Sequence, residues 1–195
     1  MILDYLKEHT KNIHQELEKD NLAKLIMDHS ISKETYQKLL TQNYYFYQAI
    51  EQSLIQKRQL INASLHPFLT NEKSQRLKKD LNYFGCEIER HLPQKKSFKI
   101  DSENTALGAL YVSEGSALGG LMISKQLKNC PHLSFMKEHC FFGTDVSKIL
   151  GRWKNFKETV TQNFQDESIK DEVLKSATKT FEFFGEIMRE GYSLD

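Results

Sequence analysis

The sequence contains few of the residues that end helices and build tight turns. Glycine (9) and proline (3) together account for 12 of the 195 residues. Average usage, about 7% glycine and about 5% proline, would give roughly twice that number. Because few turns can be built, the composition predicts a mostly helical chain.

The chain also lacks an excess charge and a long apolar run. Its 27 lysine and arginine residues nearly balance 26 aspartate and glutamate residues, which disfavours a general binder of nucleic acid or of anionic membranes. No uninterrupted apolar run approaches the roughly 18 residues of a membrane span, and Asp4 and Lys7 interrupt the region where a secretory signal would be apolar. We therefore expect a soluble protein that is not exported.

Cysteine is scarce as well. Cys86, Cys130 and Cys140 are odd in number and show no CxxC spacing, which makes a disulfide framework or a thiolate zinc site improbable. His132 and His139 lie near two of these cysteines but match no standard zinc spacing. We expect a protein of the reducing cytoplasm.

What is present predicts an all-α, single-domain, irregular multi-helix bundle that spans residues 1–195. There is no internal repeat or linker, and 39% hydrophobic residues suffice to close one core at this length. Apolar periodicity and capping residues predict helices at about 3–20, 33–55, 72–84, 103–129, 145–164 and 168–189, with a short apolar set at 22–26. Ser32, Asn71 (or Thr70) and Ser102 (or Asp101) are the expected N-caps, His66–Pro67 should interrupt a helix, and Leu92–Pro93 should begin a lysine-rich loop.

One predicted helix contains an unusual number of glycines. Residues 107–123 contain Gly108, Gly115, Gly119 and Gly120, and each glycine costs about 1 kcal/mol relative to alanine inside a helix. Two explanations remain open: close packing against a neighbouring helix, or a flat ligand that lies directly on the backbone. A phosphate loop is disfavoured because neither GxGxxG nor GxxxxGK is present.

His14 is the histidine whose helical position is most informative. It lies on the rim of the apolar face of the first helix, with Glu18 one turn further on. Glu18 could hold one ring nitrogen while the other faces a pocket, as in metal-ligating histidines; an ordinary, partly buried histidine is the alternative. We expect the other histidines to lie at the surface: His9, His29, His66, His91, His132 and His139.

Four segments resemble bacterial heme oxygenases. These are TKNIHQELEKD (10–20), LGALYVSEGSALGGLMISKQL (107–127), FFGTDVSKILGRWKNF (141–156) and SATKTFEFFGEIM (176–188). They follow the order of that family and span nearly the whole chain, and the YVSEGSALGG block is the most specific. The chain therefore resembles a member of the heme oxygenase-like superfamily.

The resemblance implies roles for individual residues. His14 matches the ligand of the heme iron. Gly115, Ser116, Gly119 and Gly120 match the distal helix that lies over the macrocycle and takes part in catalysis. The resemblance further implies contacts with heme or its propionates, or support of the iron ligand, for Lys7, Lys11, Glu18, Tyr111, Lys154 and Phe181.

One position departs from the mammalian pattern. Mammalian members carry an aspartate in the distal helix that organises water around oxygen, whereas the aligned region here contains Ser116 and Ala117. Glu114 should lie on a different face. Proton delivery would then rely on backbone groups and ordered water, as in other bacterial members.

The implied reaction is the oxidative cleavage of heme, which is both substrate and cofactor, to biliverdin, with release of carbon monoxide and ferrous iron. It consumes O2 and electrons from a separate donor, such as a ferredoxin or a flavin reductase. Lys7 with Tyr111 would orient heme for attack at the α meso carbon. We expect a cytoplasmic monomer with no nucleic-acid or membrane partner.

Two alternatives remain. One is a heme carrier of the same fold that does not degrade heme. The other is a thiamine-degrading helical enzyme of similar topology, which would need a reactive cysteine paired with an acid in the pocket.

Overall fold

The computed structural model describes residues 1–19, 21–85 and 97–190. Over these residues the chain forms α-helices joined by turns and short 3-10 helices, and no strand. The helices are α1 (Ile2–His9), α2 (Lys11–Lys19), α3 (Lys24–Met27), α4 (Lys33–Gln56), α5 (Glu72–Asn82), α6 (Glu103–Leu127), α7 (Val146–Asn163) and α8 (Lys170–Arg189). The predicted all-α fold class is confirmed.

Side-chain caps begin three of the longer helices. Ser32 accepts a hydrogen bond from the backbone N–H of Thr35 at the start of α4, and Ser102 accepts one from Thr105 at the start of α6. Asp145 caps α7 in the same way. These bonds satisfy amides that have no partner within the helix, so the capping predictions for Ser32 and Ser102 are confirmed.

The structure corrects the sequence analysis at two boundaries. The single N-terminal helix is interrupted at Thr10, whose hydroxyl donates to the carbonyl of Leu6. The side chain of Asn71, an expected cap, forms no cap hydrogen bond at the start of α5. His66 and Pro67 lie in a 3-10 helix, Ala63–Phe68, between α4 and α5, where an interruption was expected. The predictions for Cys86, His91, Leu92–Pro93 and the end of the first helix at Asp20 lie outside the described residues.

Helix α4 is buried around most of its circumference. The aromatic and aliphatic residues that crowd its sequence are all buried: Tyr36, Leu39, Leu40, Tyr44, Phe46, Tyr47 and Ile50. Such a helix forms the centre of the core rather than a surface layer. Helices α5, α6 and α8 pack against it.

Helix α6 packs most extensively against α8, and Gly108 permits the approach. A Cβ at Gly108 would lie 2.6 Å from the carbonyl oxygen of Val173 and 2.7 Å from the amide nitrogen of Ala177. Both atoms belong to the α8 backbone and cannot move without shifting that helix. Close packing therefore explains the glycine at 108.

The apolar character of α6 qualifies one expectation from the sequence. By length and by a mean hydropathy of 1.3, Glu103–Leu127 could cross a membrane, although the core helix of a soluble protein passes the same test. Leu107, Ala109 and Leu110 of this helix are buried. Helix packing accounts for these apolar residues.

Gly108→Ala should lower the free energy of unfolding by about 2 kcal/mol, because overpacking against a rigid backbone outweighs the gain in helix propensity. Urea unfolding followed by circular dichroism measures this. Gly119→Ala is the matched control, since its Cβ would meet no atom within 4 Å, and it should raise stability by up to about 1 kcal/mol. Equal effects of the two substitutions would contradict the packing role of Gly108.

Candidate functional site

A deep cleft opens between α2 and α6. Its volume is about 880 Å³, and residues of α4 and α8 form its inner wall. The segment Phe141–Thr144, the N-terminal part of α7 and the first turns of α5 close one end. A cleft of this size can enclose most of a drug-sized or larger flat ligand.

His14 lies on the α2 wall of the cleft. Its Nδ1 is 3.4 Å from Oε1 of Glu18, and its side chain is 51% exposed. The ring packs edge-on against Phe181 of α8, with 5.7 Å between ring centroids. Its Nε2 has no hydrogen-bond partner within the part of the chain that the structure describes, so this nitrogen is available to a ligand in the cleft.

A second glycine places α2 close to α8. A Cβ at Gly185 would lie 2.7 Å from Cδ2 of Leu17, and Gly185 is one turn after Phe181 on the same face of α8. The absence of a side chain at 185 lets Leu17 approach. Gly185 thus helps to set the position of His14, three residues before Leu17.

Three glycines of α6 form a bare strip on the opposite wall. A Cβ at Gly119 would meet nothing within 4 Å, while at Gly115 and Gly120 it would make ordinary contacts with Trp153 (3.6 Å) and Phe142 (3.8 Å). Helix packing therefore does not require these glycines, in contrast to Gly108. Close packing, the first of the two explanations that the sequence left open, thus accounts for Gly108 but not for these three glycines.

A hydrogen-bonded pair lies beside the glycine strip. The hydroxyl oxygens of Tyr47 and Ser116 are 2.6 Å apart, and Ser116 donates to the carbonyl of Ser113 at 2.9 Å. Because a serine hydroxyl has one proton, Tyr47 must be the donor to Ser116. Burial raises the pKa of Tyr47 well above its usual value, which keeps this proton on the phenol.

A buried ion cluster joins α6 to α5 and α7. Oε1 of Glu114 is 2.7 Å from Nζ of Lys73, and its Oε2 is 2.6 Å from Nε of Arg152. Glu114 is only 2% exposed. Burial alone raises the pKa of Glu114, but Lys73 and Arg152 outweigh it, so the pKa lies below its ordinary value. Glu114 is therefore held as a carboxylate that accepts bonds from both cations.

Helix α5 also holds the segment that closes the cleft. The buried carboxylate of Asp80 accepts hydrogen bonds from the backbone amides of Cys140 (2.6 Å) and Phe141 (2.9 Å). Arg76 donates to the Thr144 hydroxyl at 2.8 Å. These bonds fix the aromatic wall formed by Phe141 and its neighbour Phe142.

Three histidines expected at the surface are partly buried. His139 contacts the Tyr36 hydroxyl through Nδ1 at 2.9 Å, and burial lowers the pKa of His139. His29 bonds Gln126 at 2.8 Å, and His66 bonds the carbonyl of Ile61. Each fills a hydrogen-bonding role that apolar periodicity does not reveal.

The described cysteines do not line the cleft. Burial raises the pKa of Cys130 and of Cys140, and Cys130 contacts the carbonyl of Ile26. Neither thiol is therefore activated as a thiolate at neutral pH. This disfavours the thiamine-degrading alternative for both.

The residues assigned by resemblance divide into two groups. The first lines the cleft and comprises His14, Glu18, Gly115, Ser116, Gly119, Gly120 and Phe181. The second is not part of the lining and comprises Lys7, Lys11, Tyr111 and Lys154. Tyr111 contacts Thr10 and the ring of Trp153 instead, and Lys154 pairs with Glu158 at 3.8 Å.

Several lining residues were missed by the sequence analysis. Tyr47 was not singled out, although a buried phenol needs a polar partner. Lys73 and Arg76 lie three residues apart on α5, and Lys148 and Arg152 lie four apart on α7, spacings that place each pair on one helix face. That spacing was the available signal for a polar end of the cleft.

The geometry defines the protein first as an all-helical bundle with one histidine facing a side-chain-free strip of a second helix. Solved structures share this fold. A heme oxygenase from Leptospira interrogans matches with a TM-score of 0.77 at 22% identity, covering 97% of this chain and 98% of that one. The NO- and CO-bound heme oxygenase from Neisseria meningitidis matches with a TM-score of 0.71 at 21% identity, covering 100% and 94%.

A further structure, the heme complex of a heme oxygenase from the cyanobacterium Synechocystis, matches with a TM-score of 0.72 at 18% identity over 97% of this chain and 91% of that one. No curated protein matches the sequence significantly. The family model described as heme oxygenase matches residues 2–190. The chain belongs to the heme oxygenase family.

Glu114→Gln should lower the free energy of unfolding by about 3 kcal/mol at pH 7, because it leaves Lys73 and Arg152 without their buried counter-charge. The lowered pKa means that this stabilisation is complete above the ordinary value of 4.5 and is lost as pH falls through the folded-state value. Denaturant unfolding at several pH values should therefore show the two proteins converging in acid.

The matched control is Glu158→Gln, which removes an exposed carboxylate paired with Lys154 and should change stability by less than about 1 kcal/mol. A stability difference for Glu114→Gln that persists unchanged to acid pH would contradict the assignment.

Proposed function

We propose that this protein is a heme oxygenase that cleaves heme to biliverdin, with release of carbon monoxide and ferrous iron. The observation that carries the proposal is the cleft itself: the unpaired Nε2 of His14 on one wall and Gly119, with no atom within 4 Å of its Cβ position, on the other. Family membership supports it.

The residues present fit a heme. The described residues include no cluster of three or more histidine, cysteine or acidic side chains that could hold a metal ion, and a single imidazole would suit an iron that brings its other ligands with the porphyrin. Aromatic and aliphatic side chains such as Phe46, Phe141, Phe181 and Phe184 line the cleft and match a flat apolar macrocycle. When bound, heme supplies the redox chemistry with O2 and is itself the molecule oxidised.

His14 and Glu18 form the iron-binding side. Nδ1 of His14 lies toward the Glu18 carboxylate, which favours the tautomer with its proton on Nδ1 and leaves Nε2 to bind iron. Packing of the ring edge against Phe181 fixes its plane. His14 would thus hold the iron through Nε2, and the facing wall at Gly115, Gly119 and Gly120 carries no side chain that would compete for it.

Ser116 and Tyr47 supply polar groups on the open side. Because Ser116 donates to Ser113 and accepts from Tyr47, it keeps one acceptor position for water in the cleft. The glycine strip adds space for that water without apolar side chains. We infer that Tyr47 holds a proton at its hydroxyl and orients Ser116, which takes the place of the aspartate of mammalian relatives.

Electrons must come from a separate donor, for which a ferredoxin or a flavin reductase is suited. A heme carrier of the same fold would bind heme equally well, so turnover decides between the two. Purified protein loaded with heme and supplied with ascorbate should lose the Soret band and gain the absorbance of biliverdin. An unchanged Soret band with every reductant tried would support the carrier.

His14→Ala should abolish the histidine signature of the ferric heme complex and most turnover, because no other imidazole lines the cleft among the described residues. Absorption and electron paramagnetic resonance spectra measure the ligand. Added imidazole should restore the signature in this variant if the only loss is the ligand. His132→Ala, at an exposed position away from the cleft, is the control, and an unaltered spectrum in His14→Ala would exclude His14 as the ligand.

Gly119→Val should weaken heme binding about tenfold or more, because a branched side chain would enter the space that we propose for the macrocycle. Helicity should stay nearly intact. Heme titration followed at the Soret band and far-ultraviolet circular dichroism measure the two properties. Gly151→Val is the matched control, since that Cβ also meets nothing within 4 Å but Gly151 does not line the cleft. Equal losses in both variants would contradict the placement of the heme.

A further inference from the structure

The turn that closes one end of the cleft is held in place by side chains of other helices. Residues 139–144, named the strap here, lie between the 3-10 helix Pro131–Leu133 and α7. Phe141 and Phe142 of the strap line the cleft. Among the described residues, three side chains tie the strap to α4 and α5 by hydrogen bonds: Tyr36, Arg76 and Asp80. The closed position of the strap therefore depends on a few polar contacts.

The strap keeps its own shape through a tight turn. The amide of Gly143 donates to the carbonyl of His139 at 2.6 Å, and a Cβ at Gly143 would overlap that carbonyl oxygen. The Thr144 hydroxyl donates to the carbonyl of Phe141 at 3.0 Å. Because these bonds lie within the strap, they do not depend on its anchors to α4 and α5. The strap can therefore move as one unit when those anchors break.

The strap lies beside the hydroxyl pair of Tyr47 and Ser116 and beside the glycine strip. The ring of Phe141 packs against that of Tyr47, with 5.3 Å between centroids. Phe142 lies 3.8 Å from the Cβ position of Gly120. Movement of the strap away from the cleft would separate both contacts. It would thereby widen this end of the cleft and let solvent reach the hydroxyl pair.

The first anchor of the strap is the carboxylate of Asp80, which is fully buried. It accepts hydrogen bonds from the amides of Cys140 and Phe141. Burial raises the pKa of Asp80 above its ordinary value, and the two amides offset this only in part. Because the closed form binds the Asp80 proton more readily than an exposed carboxylate does, protonation of Asp80 favours closure. Acid therefore does not open the strap through this anchor.

The second anchor joins His139 to Tyr36. Nδ1 of His139 lies 2.9 Å from the Tyr36 hydroxyl oxygen, and the two rings meet edge to face with 5.5 Å between centroids. Tyr36 is fully buried. Burial raises the pKa of Tyr36 well above its ordinary value, so the phenol keeps its proton and donates it to Nδ1. The closed strap therefore selects a neutral imidazole with its own proton on Nε2.

Protonation of His139 removes this acceptor. An imidazolium carries a proton on both ring nitrogens, so Nδ1 and the phenol would become two donors that face each other. Burial also lowers the pKa of His139. Because the closed form disfavours the added proton, the stabilisation of closure by His139 is complete above the ordinary pKa of 6.5 and is lost as the pH falls below that value.

The other titratable groups near His139 and Tyr36 do not reverse this direction. They are Lys79 and Asp80 on α5, Cys130 after α6, and Glu138 and Cys140 beside His139. Burial raises the pKa of both thiols, so they are neutral. The Asp80 carboxylate is bonded to two amides, and the charges of Lys79 and Glu138 are opposite. Burial therefore decides the direction in which the pKa of His139 moves.

We propose that the strap is a pH-sensitive gate of the cleft, which the neutral His139–Tyr36 hydrogen bond keeps closed and protonation of His139 opens. Exchange of the ligand through this end of the cleft is then faster in mildly acidic solution than at neutral pH. The opening itself follows from bonds within the protein. That the exchanged ligand is heme or its ring-opened product rests on the proposed function.

Amide hydrogen exchange tests the gate without any ligand. The amides of Cys140 and Phe141 are the donors to Asp80, so they exchange when the strap opens. After correction for the intrinsic exchange rate, their opening constant should be about fivefold larger at about pH 5.5 than at about pH 7.5. The amide of Phe46, in the buried centre of α4, should show no such increase. An opening constant that does not rise in acid overturns the proposal.

His139→Phe identifies the group that titrates, because it keeps an aromatic ring beside Tyr36 and cannot be protonated. The strap of this variant should open equally often at both pH values. The double variant His139→Phe with Tyr36→Phe also removes the hydroxyl that has lost its acceptor, so it should close more firmly and stay insensitive to pH. His132→Phe is the matched control, since it removes an exposed histidine and should keep the wild-type response. A response that survives in His139→Phe overturns the proposal.

Asp80→Asn separates the two anchors. Its amide group turns one acceptor into a donor that faces a strap amide, so the strap should open about tenfold more often or beyond at both pH values. The ratio between the two pH values should stay that of the wild type, because His139 is unchanged. Thermal unfolding shows whether this variant keeps its fold, and His139→Phe decides the proposal if it does not.

Release of iron-free protoporphyrin, followed by its fluorescence, tests the effect on ligand exchange. This probe has no iron, so protonation of His14 cannot contribute through loss of an iron bond. Between about pH 7.5 and about pH 5.5, release should accelerate about fivefold more in the wild type than in His139→Phe. Equal acceleration in the two proteins overturns the role of the strap in exchange. If neither protoporphyrin nor hemin binds, the proposed function fails, while hydrogen exchange at Cys140 and Phe141 still decides whether protonation opens the strap.

Discussion

The cleft depends on a division within one helix. The N-terminal half of α6 packs into the core, and its C-terminal half forms a wall of the cleft that is almost free of side chains. The N-terminal half of α6 is locked to α8 through Gly108, where any side chain would collide with backbone atoms. The C-terminal half carries Gly115, Gly119 and Gly120, beside which there is room. A glycine-rich helix would be unstable alone, so tertiary packing at the first half must offset the weakness of the second.

Buried charge supplies the remaining restraint on that wall. Glu114 lies directly before Gly115 and receives bonds from Lys73 and Arg152, which belong to helices on either side of α6. Buried ion pairs of this kind add little net stability but strongly penalise their own disruption. They therefore specify one arrangement of three helices at the place where the glycines would otherwise allow several. The wall formed by the glycines of α6 therefore keeps a defined shape although it carries no side chains.

The helical fold could be predicted from composition and periodicity because these report local preferences. Ser32 and Ser102 were identified as caps, since capping depends on residues three positions apart. The environment of an individual residue was harder to predict than the type of secondary structure that contains it. The glycines of α6 look alike in sequence, and only the contact with Val173 separates Gly108 from Gly119. His139 was misplaced because its partner, Tyr36, is 103 residues away.

The polar end of the cleft shows why resemblance alone did not find the lining cations. A resemblance carries roles along matched motifs, and Lys154 was matched because it follows Trp153. Yet each residue of a helix is rotated by about 100° from the last, so a role can move to a neighbouring position only if that position faces the cleft. Arg152 and Lys148 do, and Lys154 does not. Helix rotation and contacts with distant parts of the chain thus decide which cations face the cleft, and neither is visible in the motif.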